Sequence, residues 1–323
     1  MKKALKIILI IAGSAVLALT AGILALLLKF GPNFGLYLIP PTPVKYVRDA
    51  MAFAENGIYA SGDAWQEAKE AAIEKAAGCR TYEETYPIIQ EALNVAGGKH
   101  SKIRSKDQTD EAAGKQMLPE CSFKNGILYI RLPEYNLESG QGSAYAETVL
   151  SAVRENRDGI EGVILDLRDN TGGDMGPMVA AVSPFLPDGT VLRFEISGQT
   201  RDVILSEGAV TGGGSATEVE NLEKLQVPVA VIQNEMTASS GEAVLLCFKG
   251  LDNVRFFGCG TAGYCSTNTV RKMYDGATIQ LTVGCDVDRT GQRYCEDPIA
   301  PDVETRDPLK DAEQWIEEAV RTN

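Results

Sequence analysis

The chain holds one histidine, His100, in the segment Gly97-Gly98-Lys99-His100-Ser101. An imidazole, with an ordinary pKa of about 6.5, suits proton transfer at neutral pH. A lone histidine is also a common structural residue, so its role depends on what accompanies it. The candidate nucleophile lies in VIQNEMTASSGEAVLLCFKG, residues 231–250. A buried strand is expected to end at Asn234 and a helix to start near Ser239. The amides around Ser239 would then stand at the positive end of a helix dipole, where a developing oxyanion is stabilised. The same residues, Ser239-x-x-Glu242, spell a capping box, in which Ser239 only starts the helix. A third segment, ILDLRDNTGGD (164–174), sets Gly172 and Gly173 after another buried strand. Paired glycines there either make a turn or let backbone amides approach a ligand. Neither GxxxxGK[ST] nor GxGxxG is present, so the loop is not a phosphate cradle of those types. Acids, Glu296 and Asp297 among them, gather near turns in 288–304.

The elements that must position these residues follow from periodicity. Helices are expected over 44–56, 63–77 and 81–96, with Asp63 and Thr81 as N-caps and the Gly97-Gly98 pair delivering His100 into a loop. From 121 onward the chain reads as strands alternating with helices. Strands are expected at 125–133, 160–170, 190–197, 226–234 and 253–258, and helices at 143–157, 171–186, 239–250 and 307–322. Residues 211–225 read as a flexible loop with some helix. A hairpin is expected around Asp275-Gly276. The division is therefore 1–30, 31–43 as linker, 44–118 as a small helical domain, 119–306 as an α/β core, and 307–323 as a terminal helix.

Residues 7–28 form an uncharged apolar run, preceded by Lys2, Lys3 and Lys6 and followed by Lys29. About 20 apolar residues cross a bilayer, whereas a cleaved signal has a shorter apolar region of ~7–15. An uncleaved single-pass anchor is expected, with the lysines inside and the body extracytoplasmic, at the cell membrane. Beyond residue 30 the chain has 27 basic and 44 acidic residues, a net of −17. That charge excludes nucleic acid as a partner. The cysteines, at 79, 121, 247, 259, 265, 285 and 295, lack CxxC spacing, and with one histidine no metal site or cofactor is expected. Outside the membrane disulfides form; the expected pairs are Cys285–Cys295, across the turn at 288–291, and Cys259–Cys265. Cys247 reads as core.

Six segments in order, GGKHS, DLRDNTGG, NEMTASSGEA, GCGTAGY, DGATIQLTVG and IAPDVE, span about residues 40–305 and resemble the tail-specific (C-terminal processing) serine peptidases, including the tricorn-core type. The resemblance implies a ClpP/crotonase-like core and a serine nucleophile three residues before a glutamate, which is Ser239 rather than Ser240. Many members take their base from a lysine in a TxGKG segment, where this chain has Tyr264. The other branch uses a GGxHS histidine, which implies His100 as general base. That branch orients the ring with a glutamate before an xxPD segment, implying Glu296, with Asp297 as the alternative. The oxyanion donors would be the amides of Ser240 and of Gly172 or Gly173. Lys99 reads as a solvated neighbour, and Lys272 and Lys99 are the alternative bases. Only about 20 residues separate His100 from Cys121, too few for the PDZ domain of many relatives, so capture of substrate C-termini by such a domain is not expected. The implied activity is endoproteolysis of extended or unstructured polypeptide, which enters a cleft as a strand. The rival readings are an inactive peptide- or ligand-binding module on the same scaffold and an esterase, which the missing G-x-S-x-G elbow disfavours.

Overall fold

The computed structural model describes residues 2–31, 36–112, 117–136 and 140–322; positions 32–35 of the expected linker and 113–116 of the expected helical domain lie outside the described residues. In chain order the elements are α1 (Lys2–Phe30), α2 (Pro43–Ala54), α3 (Gly62–Lys75), α4 (Tyr86–Gly97), β1 (Lys102–Arg104), α5 (Lys106–Ala112), β2 (Glu120–Lys124), β3 (Ile127–Arg131), α6 (Gly142–Asn156), β4 (Gly162–Asp166), α7 (Met175–Ala181), β5 (Gly189–Ile196), β6 (Gln199–Ser206), β7 (Ala209–Thr211), β8 (Thr217–Glu218), β9 (Val229–Gln233), α8 (Ser240–Phe248), β10 (Val254–Gly258), β11 (Ser266–Lys272), β12 (Thr278–Val287), β13 (Arg293–Tyr294), β14 (Val303–Glu304) and α9 (Pro308–Thr322). They fall into two units. One runs to Thr109 and includes Thr269–Leu281; the other holds Asp110–Asn268 and Thr282 onward.

In the first unit, α1 is long and apolar enough over Ala12–Phe30 to cross a membrane, and none of that span is buried. Helix α2 starts where Thr42 accepts the Lys45 amide (3.3 Å) and Pro43 fills the first turn. Helix α3 starts at Gly62, one residue before the expected cap, so Asp63 lies inside its first turn. Helix α4 starts at Tyr86 rather than after Thr81, behind a short 3-10 turn at Glu83–Thr85. Pro87 is the reason. In a helix begun at Thr81 it would sit in the interior and clash, whereas in a first turn its missing N–H costs nothing. Tyr46, Met51, Trp65, Ile89 and Leu93 are fully buried among these helices. The Asp275-Gly276 hairpin forms as expected and docks on them: Tyr46 and Tyr86 donate their hydroxyls to Asp275 (2.9 and 2.5 Å).

The second unit is built on a sheet of order β14-β10-β9-β4-β3-β2, parallel except for the β2–β3 hairpin. Asn125 and Gly126, expected inside a strand, are instead the turn of that hairpin, both at positive φ (52° and 78°). Alternation sorts β4 and β9 onto two faces. Val163, Leu165, Val229 and Val231 join the main core with Val149 of α6, Met178 of α7 and Leu245 of α8, while Ile164, Ala230 and Ile232 face Ala312 and Ile316 of α9. Gly162 is small because a Cβ there would lie 2.2 Å from Ile316 Cγ2. The rest of β12 extends an antiparallel set, β12-β5-β6-β7-β8. Strand β6 was not expected, and residues 211–225 carry strand rather than helix. The whole is the mixed α/β fold expected, with a helical region and an apolar helix ahead of it.

Ile316 is 1% exposed. Ile316→Ala should lower stability by about 2–4 kcal/mol, read as a lower denaturant midpoint for the full chain in detergent. An unchanged midpoint would mean that α9 is not tied to the sheet.

Candidate active site

Two strand-to-helix turns of the second unit, β4 to α7 and β9 to α8, are laced together. Ala238 N–H donates to Asn170 O (2.9 Å), and the Thr237 hydroxyl donates to Leu167 O (2.9 Å). The Ser240 hydroxyl donates to Gly173 O (2.6 Å). Buried Asn170 fixes its own turn through Leu132 O (2.9 Å). Closeness is possible only with glycine: a Cβ on Gly172, at φ +109°, would lie 2.8 Å from Ser239 Cβ and 3.0 Å from Ser240 N.

Ser239 itself stands at φ +53°, ψ −120°. A capping serine ordinarily adopts extended backbone. The left-handed value costs about 1–3 kcal/mol and persists only where the surroundings over-determine it. Glu242 supplies that constraint. Its carboxylate is fully buried and accepts from Ser239 N–H (2.8 Å), the Thr261 hydroxyl (2.5 Å), Gly263 N–H (2.9 Å) and Tyr264 N–H (2.7 Å). The capping box read from the sequence is present, and its glutamate does more than cap: it binds the Ser239 turn to the 259–264 loop.

Of the three expected oxyanion donors, Gly172 has its amide committed to Asn170 Oδ1 (3.0 Å). Among the described residues no hydrogen bond uses the amides of Gly173 and Ser240. These two are open to a ligand.

Glu296 lies in the same unit, and its Oε1 is buried with no hydrogen-bond partner among the described residues. Asp297 is exposed. The Glu296 backbone packs on Gly263, where a Cβ would fall 2.7 Å from Glu296 O. The expected Cys285–Cys295 disulfide is formed and ties the residue before Glu296 to β12. The other expected pair is not bonded. Cys259 at the end of β10 turns to Glu235 (Sγ to Oε2 3.2 Å), while Cys265 is buried in the main core.

His100 belongs to the first unit. Gly98, at φ +71°, ends α4, and the following loop is pinned from both sides. The Gln90 amide group donates to Ser101 O (3.0 Å) and accepts from Ile103 N–H (3.0 Å), and Gln280 donates to His100 O (3.2 Å). The imidazole is 5% exposed. Burial first, then the charges of Lys102, Lys99 and Arg104, lowers its pKa to about 3. It is therefore neutral, the form a general base needs.

Asp286, which sequence reasoning missed, is fully buried in β12. Burial pushes its carboxyl up to about 7, against a hydrogen bond from Thr267 (3.0 Å) and with the Glu242 charge adding to the rise. The signal was legible: an acid between Cys285 and Val287, near the end of a largely buried strand.

Taken together, the second unit offers a strained serine at a helix start with two open amides beside it, the furniture of acyl transfer through a serine. Residues 126–305 match the family described as Peptidase family S41. The nisin-resistance protein of Lactococcus lactis is 39% identical over 95% of this chain and 96% of its own. The carboxy-terminal processing protease CtpA of Bacillus subtilis is 25% identical over 56% of this chain, which spans 37% of that longer protein. Among solved structures, a lipoprotein from Streptococcus agalactiae superposes with TM-score 0.79 at 32% identity, covering 88% of this chain and 99% of that one. The photosystem II D1 C-terminal processing protease shares the fold, with TM-score 0.54 at 14% identity over 86% and 98% of the two chains. The chain belongs to peptidase family S41, and it is a serine peptidase of the tail-specific type.

A lone histidine gives one set of imidazole NMR signals. In the full chain, tagged without histidine, that signal should stay neutral through pH 6.5 and titrate far lower. The unfolded chain takes up this proton near 6.5 and the folded one only near 3, so stability contributed here falls as pH drops between the two. His100→Asn should flatten that part of the stability profile. A midpoint at 6.5 would show the imidazole to be solvated.

Proposed function

We propose that the chain is a membrane-anchored, extracytoplasmic serine endopeptidase that cuts extended or unstructured polypeptide through an acyl-enzyme. Ser239 is the nucleophile, His100 the general base and Glu296 the orienting acid. Ser239 Oγ attacks the scissile carbonyl carbon as His100 takes its proton. The resulting oxyanion is held by the amides of Ser240 and Gly173. The carbon–nitrogen bond then breaks, and the imidazolium returns the proton to the leaving amine. Water, activated by the same imidazole, hydrolyses the ester and frees Ser239. The orphaned Oε1 of Glu296 supports its role over that of exposed Asp297.

The observation that carries the reading is the left-handed backbone of Ser239, held by Glu242 beside two uncommitted amides. Strain of this kind is kept where it serves a site. The run of α1 and the lysines before it support an anchor with the body outside. The near end-to-end relative is named for resistance to nisin, which makes a nisin-like peptide the first substrate to try. A body of net −17 favours approach of a cationic chain.

The test is cleavage of nisin and of casein by the full chain in detergent. Ser239→Ala and His100→Ala should each lose roughly 10⁴-fold or more, and Glu296→Gln roughly 10²–10⁴-fold, in variants that keep the parent's circular dichroism. Full activity in Ser239→Ala would overturn the assignment of the nucleophile. Activity kept in His100→Ala would move the base elsewhere.

A further inference from the structure

We propose that Lys102 and Arg104 on β1, which follow His100 in the same unit, form a carboxylate-recognition strip that selects polypeptides carrying a free carboxylate. This rests on the peptidase reading above.

Lys102 and Arg104 are two apart on a strand, so their side chains leave the same face. Their partners across the β1–β12 pairing, Gln280 and Thr278, are uncharged. The opposite edge of β1 is occupied by the Gln90 side chain at Ser101 and Ile103, which leaves side chains rather than main chain to recognise a ligand there. Both cations are half-buried. Among the described residues neither makes an ion pair or a side-chain hydrogen bond, whereas Lys45, Lys69 and Lys75 of the same unit each have a carboxylate. Two adjoining cations without a counter-charge stand out in a body of net −17.

Their state shows what is missing. Burial first, then the Arg104 charge, brings the Lys102 ammonium down to about 8. A carboxylate at this place would stabilise the charged ammonium against both effects, with a guanidinium fork and an ammonium to grip its two oxygens. The same two cations also act on His100. A bound carboxylate offsets them and makes the imidazole a stronger base, so the substrate that carries the right charge improves the catalyst that cuts it.

The carboxylate has two sources, a peptide C-terminus or an Asp or Glu side chain. The full-length Ser239→Ala protein, immobilised in detergent, is exposed to peptide libraries with carboxyls free or methyl-esterified, and retention is read by mass spectrometry. Free peptides should be retained about 10- to 100-fold better, the range of charge-assisted hydrogen bonds. C-terminally amidated acidic peptides and acid-free peptides with free C-termini then separate the two sources. Lys102→Gln with Arg104→Gln should bring the free library down to the esterified level, while the exchange Lys102→Arg with Arg104→Lys keeps the preference. Equal retention of the free and esterified libraries, or a preference untouched by the double glutamine variant, overturns the proposal. The protein tested does not cut, so this result is independent of whether the parent is a peptidase; that reading fails separately, by absence of Ser239-dependent cleavage.

Discussion

A single buried carboxylate, that of Glu242, accepts hydrogen bonds from Ser239, Thr261, Gly263 and Tyr264. Three of these donors are backbone amides on two separate loops. An ionised carboxylate is a strong acceptor, and in a dry interior each such bond is worth more than in water. The same burial makes every lost donor costly. The Ser239 turn and the 259–264 loop are therefore held as one piece, and the left-handed backbone of Ser239 is a consequence rather than an accident. With Ser239 N–H turned to Glu242, the next amide along, that of Ser240, is left open.

The second turn is built to meet the first. Asn170 takes the Ala238 amide on its carbonyl and the Gly172 amide on its side chain, which removes Gly172 from use as a donor and leaves Gly173. The glycines have different tasks. Gly172 is bare so that Ser239 and Ser240 can approach, whereas Gly173 keeps its amide uncommitted among the described residues. In the first unit Gln90 and Gln280 fix the His100 backbone without adding charge. Burial, joined by the charges of Lys102, Lys99 and Arg104 in the same unit, keeps the imidazole unprotonated.

Much of this was legible in the residues. The strand-to-helix turns at Asn170 and Asn234, the hairpin at Asp275-Gly276 and the Cys285–Cys295 pair follow from local chemistry, because each rests on neighbours in sequence. What failed did so for identifiable reasons. Pro87 reset the start of α4 against a good periodic pattern. Strand β6 has few apolar residues to announce it, and is set by the positive-φ pair Ser197-Gly198 (50° and 74°), which returns the chain onto β5. The choice between Gly172 and Gly173, and the reach of Glu242 to Gly263 and Tyr264, depend on residues far apart in the chain. No periodicity carries that information.

The central claim is that Ser239 is a nucleophile activated by His100. Its most direct test is to react the full chain in detergent with a fluorophosphonate and locate the adduct by peptide mass spectrometry. A single adduct on Ser239 Oγ, formed far more slowly in His100→Ala, is the predicted result. An adduct on Ser240, or labelling of Ser239 at an unchanged rate without the histidine, would contradict the account.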